Sequence, residues 1–160
     1  MRVLILLLTI ALAGCASKDS EELKWFDTDN EAIEYGLKLE DAKQSDVLGE
    51  MESDGEHFVV YKDPVPDEDG IAISTVNIAE ENGKYAWYRA NSYVKITDKN
   101  PQHNIKQVSY DTKTRSGKDF LVYAGYTKNE KITLETPEGS IQPKIDPSTG
   151  IYFSVVPIRE

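Results

Sequence analysis

The sequence contains few of the residues on which most catalytic and metal sites depend. Its 160 residues include one cysteine, Cys15, and two histidines, His57 and His103. A hydrolase triad needs a nucleophile beside a histidine, and a zinc site needs three or four suitable ligands. Neither the Gly-x-Ser-x-Gly motif of many hydrolases nor a glycine-rich phosphate-binding loop is present. The sequence therefore predicts no enzymatic activity and no cofactor.

Positive charge is also scarce. Lysine and arginine together number 18 against 28 aspartate and glutamate residues, which gives a formal net charge of −10. A surface with this excess of negative charge is repelled by phosphate backbones and by anionic lipid headgroups. No cluster of basic residues interleaved with aromatic residues occurs in the chain. We therefore expect no nucleic-acid binding.

A long apolar run occurs only at the N-terminus. Arg2 is followed by residues 3–13, which are apolar except for Thr9, and then by Gly14 and Cys15. This run is shorter than the roughly 20 residues that a membrane-spanning helix needs. One positive charge, a short apolar segment and then small residues are typical of a secretory signal peptide.

The segment Leu12-Ala13-Gly14-Cys15 resembles the lipobox of bacterial lipoproteins. The resemblance implies a signal peptide of residues 1–14 that is cleaved before Cys15. It also implies a lipid anchor, including palmitate, on Cys15, which would hold the protein on the extracytoplasmic face of the cell membrane. The alternative is a plain signal peptide, or an uncleaved apolar helix, with an incidental cysteine.

Cleavage before Cys15 would leave 17 basic and 28 acidic residues, a net charge of −11. Residues 15–22 would form the lipidated cysteine and a short tether. About seven residues of extended chain reach roughly 25 Å, so the folded part must work close to its membrane. Since Cys15 is the only cysteine, the mature domain can form no disulfide and depends on its core for stability.

Residues 23–160 suit one extracytoplasmic domain. Thr28 and Glu31 have the spacing of a capping box, and apolar residues recur at helical intervals after them. We therefore predict a helix over Asp29–Ala42. Gly36 lies inside it, and we expect this glycine to permit a close approach to a sheet.

Nearly all of the remaining chain has the pattern of short strands separated by turns, including Asp54-Gly55 and Asn82-Gly83, which favour hairpins. The predicted strands are 47–52, 57–62, 71–80, 84–96, 107–113, 119–127, 131–136, 140–145 and 151–158. The predicted class is α+β and mainly antiparallel β, with one N-terminal helix packed on a sandwich- or barrel-like sheet domain. Residues 23–62 could form a helix-hairpin subregion beside a β subregion over 70–158.

The last forty residues are similar to the ends of small β-sandwich domains in uncharacterised Gram-positive surface lipoproteins. The shared features are the run Val122–Tyr126, alternating Ile132 and Leu134, Gly139, and Tyr152-Phe153 in the final strand. The resemblance implies a β-sandwich, and these families have no assigned activity to carry over.

Two sets of residues are candidates for binding. Tyr85, Trp87, Tyr88 and Tyr93 fall on one predicted strand, where alternation places Tyr85 and Trp87 on one face and Tyr88 on the other. They either present an aromatic surface for a protein, peptide or sugar, or cover the sheet as ordinary strand residues. Asp67 and Asp69 are a weak calcium candidate, because acidic loops supply the oxygen ligands that calcium prefers.

These features predict a non-catalytic interaction or accessory protein of the cell envelope, anchored to the membrane and bound to another envelope protein or wall component. The alternative is a binding module for a small ligand, a glycan or a cation. A hydrolase is the third class, and loss of activity on replacement of His57 or His103 would identify it. The ligand, the oligomeric state, the strand order and the envelope type do not follow from the sequence.

Overall fold

The computed structural model describes residues 22–64, 70–96, 107–137 and 139–159. The helices in these residues are α1, Asp29–Leu39, and a short 3-10 helix, Gln44–Asp46. The strands are β1 Val47–Ser53, β2 Glu56–Lys62, β3 Ile71–Glu81, β4 Lys84–Tyr88, β5 Val94–Ile96, β6 Gln107–Lys113, β7 Asp119–Tyr126, β8 Leu134–Thr136, β9 Gly139–Ile141, β10 Lys144–Ile145 and β11 Ile151–Pro157. The predicted class, one helix on mainly antiparallel β-structure, is confirmed.

The strands form two main sheets and a small hairpin, and every pairing is antiparallel. Sheet A has the order β1-β2-β3-β4, and β5 also pairs with β3. Sheet B has the order β10-β11-β7-β6, and β8 pairs with β9. The sequence suggested either a sandwich-like or a barrel-like domain, and the two main sheets have the sandwich-like arrangement.

Side-chain alternation along the strands gives sheet A a core on each face. In β2, Val59 and Tyr61 belong to a core shared with α1, whereas Phe58 and Val60 face sheet B. The other face of sheet B is covered by the segment that contains Ile132 and β8. The domain is therefore layered in the order α1, sheet A, sheet B and the β8 segment, with sheet A at its centre.

The two predicted hairpin turns are confirmed. Asp54 and Gly55 connect β1 to β2, and Asn82 and Gly83 connect β3 to β4. All four residues have positive φ angles, between 49° and 74°. Type I′ turns require this backbone conformation, and Asn-Gly and Asp-Gly tolerate it best.

The predicted capping box is present at the start of α1. The backbone N–H of Glu31 donates to Thr28 Oγ1 at 3.3 Å, and the N–H of Thr28 donates to Glu31 Oε2 at 3.1 Å. These two bonds satisfy donors that a helix N-terminus otherwise leaves unpaired.

The helix ends at Leu39, three residues before the predicted end at Ala42. Asp41 adopts a left-handed conformation with φ of 58°, and the N–H of Ala42 donates to the carbonyl of Leu37 at 2.8 Å. This is a Schellman motif with aspartate in the place that glycine usually occupies. The unusual residue at that position is why the sequence pattern did not reveal the end of the helix.

Gly36 has the role that the sequence predicted. A Cβ atom at this position would lie 1.9 Å from Cδ2 of Trp87, which is far inside van der Waals contact. The glycine therefore lets α1 lie directly on the indole ring, and the helix packs mainly on β4.

The predicted strand over 84–96 is wrong in its middle, because the chain leaves the strand conformation at residues 89–93. Arg89 donates to Asp63 and Ser74, each at 2.9 Å, and also to Glu40. Its Nε donates to the carbonyl of Asn91 at 2.9 Å. These bonds hold the chain in a bend, and β5 then resumes pairing with β3.

The predicted strand over 140–145 is also divided. Its first part pairs with β8 and its second part with β11. Pro143 lies between them, and proline cannot donate a backbone hydrogen bond to a ladder. The strand predicted over 131–136 is shortened to Leu134–Thr136.

The suggested subregions 23–62 and 70–158 are not separate in the structure. β2 pairs with β3 over six residue pairs, from His57 with Ile78 to Lys62 with Ile73. The helix contacts β3 and β4 as well. Residues on both sides of the suggested boundary therefore share sheet A and its core.

Candidate binding cleft

A cleft of about 660 Å³ lies at one end of sheet A. Four segments form it: the start of α1 with the residues before it, the β1–β2 turn, the adjoining ends of β3 and β4, and the β6–β7 turn. The lining residues are Trp25, Asp29, Glu52, Gly55, Glu56, His57, Asn77, Ile78, Ala79, Glu80, Glu81, Tyr85, Arg115 and Ser116. The volume falls within the roughly 300–1,000 Å³ typical of small-molecule sites.

Acidic side chains dominate the walls of this cleft. Five of the fourteen lining residues are carboxylates: Asp29, Glu52, Glu56, Glu80 and Glu81. The basic or titratable nitrogen groups in the lining belong to Arg115 and His57. A concave surface lined by charge of one sign concentrates its electric field, so the cleft favours positively charged groups.

Two aromatic residues complete the walls, Trp25 and Tyr85. The N–H of Phe26 donates to the carbonyl of Tyr85 at 2.8 Å, and the N–H of Tyr85 donates to the carbonyl of Phe26 at 3.0 Å. This pair of bonds joins the chain before α1 to the edge of β4. Trp25 directly precedes the bridging residue Phe26, and the bridge therefore holds the segment that contains Trp25 against the cleft.

The side chain of Asn77 forms hydrogen bonds to two of the segments that line the cleft, the β1–β2 hairpin and the β6–β7 turn. Asn77 is only 3% exposed. Its Nδ2 donates to Glu56 Oε2 and to the carbonyl of His57, each at 3.2 Å, and its Oδ1 accepts from the N–H of Arg115 at 3.1 Å. Ser116 Oγ donates to Glu56 Oε1 at 2.6 Å. These bonds join a turn of sheet A to a turn of sheet B, so this part of the cleft is preorganised.

His57 lies between two carboxylates on the β1–β2 hairpin. Its Nε2 is 3.0 Å from Glu50 Oε2 and its Nδ1 is 4.0 Å from Glu52 Oε1. Glu52 is the direct cross-strand partner of His57. Both ring nitrogens of His57 therefore face acidic groups.

The four predicted aromatic binding residues do not form one surface. Tyr85 lines the cleft, but Trp87 is only 6% exposed and lies beneath α1, with its ring centroid 5.7 Å from that of Tyr61. Tyr88 is half-buried, and Tyr93 is 39% exposed in the connection between β4 and β5. Alternation correctly predicted that Tyr85 and Trp87 share a face, since both pack in the core beneath the helix. It did not predict that α1 covers Trp87.

A second polar cluster joins the end of α1 to sheet A, around Arg89. Ser74 is fully buried, and its Oγ donates to Asp63 Oδ2 at 2.6 Å. Burial acts to lower the pKa of Arg89, but Tyr61, Glu40 and Asp63 outweigh it and raise the pKa above its ordinary value. Burial raises the pKa of Tyr61 to about 12. Each charge in this cluster has a partner, and we assign the cluster a structural role.

Several predicted site residues lie outside the described residues: Cys15, Asp67, Asp69 and His103. Within the described ranges, no group of three or more His, Cys, Asp or Glu side chains has the arrangement of a metal site. The described part of the chain also contains no helix with the length and apolar character needed to cross a membrane. Comparison with known protein families, curated proteins and solved structures finds no match.

No pattern in the sequence singled out Trp25, Asn77 and Arg115 as cleft residues. Trp25 and Arg115 are 90 positions apart in the chain, and only the pairing of strands across the sheets brings them together. The run Glu80-Glu81 beside the Asn82-Gly83 turn was the one local signal, because a hairpin end with adjacent acidic residues concentrates negative charge.

Proposed function

We propose that this chain is an extracytoplasmic lipoprotein, anchored to the cell membrane through lipid on Cys15, and that it binds another envelope component without catalysing a reaction. The observation that carries the binding role is the cleft, which combines ligand-sized volume, five carboxylates and two aromatic walls. The lipobox resemblance and the short tether support the anchoring. We expect the bound component to be a membrane protein or a wall component.

The negative charge of the cleft limits which chemical groups of this component can enter it. Electrostatic complementarity accelerates association and disfavours partners of like charge. The walls carry an excess of carboxylates, and the whole mature chain is acidic. The group that enters the cleft should therefore carry positive charge, such as a lysine or arginine side chain or a ligand amine.

Site-specific photocrosslinking in intact cells tests this proposal. A photoreactive phenylalanine analogue replaces Tyr85 in the cleft or, as a matched control, Tyr93, which is exposed outside it. We expect one defined crosslinked product from position 85 and none from position 93. The same product should be lost in Cys15→Ala, which removes the proposed anchor. Identical products from both positions would contradict a role for the cleft.

A charge variant provides a second test. Glu80→Gln/Glu81→Gln removes two negative charges from the cleft, and Glu34→Gln/Glu130→Gln removes two from exposed positions outside it. We expect the yield of the position-85 product to fall at least about tenfold in the cleft variant and to remain unchanged in the control. Equal losses in both variants would indicate a response to net charge only.

A binding module for a small ligand, glycan or cation is the second candidate. It is favoured by the cleft volume of about 660 Å³ and by the two aromatic residues in the lining, Trp25 and Tyr85. The test is a thermal-shift screen of amines, glycans and cations with the purified protein. A ligand present at 100 times its Kd stabilises the folded state by about 2.7 kcal/mol, so the melting temperature should rise. The rise should disappear in Glu80→Gln/Glu81→Gln.

A further inference from the structure

The chain immediately before α1 forms a strap, defined here as residues 22–27, along the edge of β4. Trp25 in this strap is one wall of the cleft. Within the described chain, its backbone hydrogen bonds to the sheet are the two that Phe26 and Tyr85 exchange, at 2.8 and 3.0 Å. By contrast, β2 and β3 pair over six positions. The strap is therefore held by far fewer backbone bonds than the sheet beneath it.

The polar side-chain contacts of the strap are on the surface. Lys24 Nζ lies 4.5 Å from the ring centroid of Tyr35 and 5.1 Å from that of Phe26. Asp27 forms an ion pair with Lys84, and both side chains are more than half exposed. Exposed cation–π contacts and exposed ion pairs each contribute little to stability, because water screens them. The apolar contact of the strap is that of half-buried Phe26, whose ring centroid lies 5.1 Å from that of Tyr35 and which packs at the margin of the core beneath α1.

The helix that follows is attached independently of the strap. Thr28 and Glu31 close the capping box, and Ala32, Ile33 and Leu37 are buried in the core beneath α1. The chain bends at Asp27 and Thr28 before the helix begins. A hinge at this bend would let the strap move while α1 stays in place.

We propose that the strap releases from β4 as one unit while sheet A remains folded, and that its release opens the cleft by removing Trp25 from the wall. Local opening of this kind is expected where few buried contacts and few hydrogen bonds hold a segment. The effect of this release on ligand binding rests on the proposed function of the cleft. The strap continues directly into the tether that links it to Cys15. A force that pulls the domain away from its membrane therefore acts first on the strap, and so on Trp25 in the cleft wall.

Amide hydrogen exchange on the mature lipidated protein in nanodiscs tests the release. The N–H groups of Phe26 and Tyr85 are both donors in the bridge, so they should exchange together. We expect their protection factors, which correct each rate for the intrinsic rate of that amide, to be equal and at least about 100-fold smaller than that of Val76, a buried residue of β3. One protection factor shared by all three amides would mean that the strap opens only with global unfolding, and the proposal would be overturned.

A variant separates strap release from a general loss of stability. Phe26→Pro removes the donor N–H of the strap, whereas Phe26→Ala keeps it and serves as the matched control. With 5-fluorotryptophan, the resonance of Trp25 should move toward its unfolded position in the proline variant, while that of Trp87 stays fixed. Movement of both resonances, or of neither, would contradict the proposal.

These measurements need no binding partner. Failure of the strap to open would leave the crosslinking result at position 85 intact. Failure to capture a partner would leave the exchange rates of Phe26 and Tyr85 unchanged. The two proposals can therefore be rejected separately.

Discussion

Two tyrosine hydroxyl groups in the interior differ in their hydrogen bonding. The hydroxyl of Tyr152 is buried and has no hydrogen-bond partner among the described residues. The hydroxyl of Tyr110 lies 2.6 Å from Oγ1 of Thr75, which is itself buried. A buried polar group without a partner carries its full desolvation cost, whereas a paired one does not.

The matched pair of substitutions should therefore change stability in opposite ways. Tyr152→Phe removes the unpaired hydroxyl, and we expect the free energy of unfolding to stay unchanged or to rise by up to about 1–3 kcal/mol. Tyr110→Phe leaves the hydroxyl of Thr75 unpaired and should lower the free energy of unfolding by about 1–3 kcal/mol. Urea denaturation of the two variants measures the difference. Equal losses of stability in both would contradict this account.

Three buried tyrosine hydroxyl groups make the stability of the protein depend on pH in the alkaline range. Burial raises the pKa values of Tyr61, Tyr110 and Tyr152 to about 12, above the ordinary value of 10. Between these values the unfolded chain has lost protons that the folded chain retains, so stability falls as pH rises. Below pH 10 the contribution is fully present, and it is lost progressively toward pH 12.

Thermal unfolding at pH 8, 10 and 11 measures this dependence. We expect the melting temperature to fall steeply above pH 10. Tyr152→Phe should fall less steeply, because one group with a raised pKa has been removed. A flat profile up to pH 11 would show that these phenols ionise equally in the folded and unfolded states.

At the scale of elements, the contact between α1 and β4 depends on Gly36. Alanine has a higher helix propensity than glycine by about 1 kcal/mol, and propensity alone predicts that Gly36→Ala is stabilising. The added Cβ, however, would lie 1.9 Å from the ring of Trp87. Overpacking of this kind costs about 1–3 kcal/mol. We expect a net loss of stability, measured by urea denaturation.

A double-mutant cycle with Trp87→Leu identifies the cause. Leucine lacks the indole ring that the new Cβ would meet. In that background Gly36→Ala should lose most of its cost, and the two substitutions should couple by more than about 1 kcal/mol. Additive effects would mean that the ring is not the obstacle.

The elements that the sequence predicted well are those encoded by neighbouring residues. The strand over 107–113 is correct at both ends, and the Asp54-Gly55 and Asn82-Gly83 turns carry their own backbone preference. The break at Arg89 was missed because its partners, Glu40 and Asp63, are 49 and 26 positions away. Local patterns carry no information about such partners.

At the scale of the whole molecule, we expect one cooperative unfolding transition. Sheet A has one core with α1 and another with sheet B, so neither sheet can unfold alone without exposing apolar surface. The 5-fluorotryptophan resonance of Trp87, which is buried beneath α1, reports on the α1 side. Amide exchange in β7 and β11 reports on sheet B. The two probes should give the same urea midpoint, and different midpoints would show separate units.

The cleft was beyond sequence analysis for the same reason as the Arg89 bend. The excess of acidic residues in the sequence agrees with the five carboxylates of the cleft, and Tyr85 was a candidate from its strand alone. The cleft itself requires the N-terminal segment, both sheets and two turns to come together. Abundant carboxylates do not indicate which of them converge until the strand order is known.

The position of Trp25 has a consequence for affinity. It lies ten residues after Cys15, so fully extended chain places this wall of the cleft within roughly 35 Å of the proposed lipid. So short a connection confines the cleft to the region next to the membrane. The cleft then meets a partner in that membrane at an effective concentration in the millimolar range, about the level set by short flexible linkers. A partner in the same membrane could then occupy the cleft even if the isolated domain bound it with a Kd of only about 0.1–1 mM. Confinement at the membrane would then give the cleft a high occupancy, which a protein free in solution could reach only through stronger contacts with its partner.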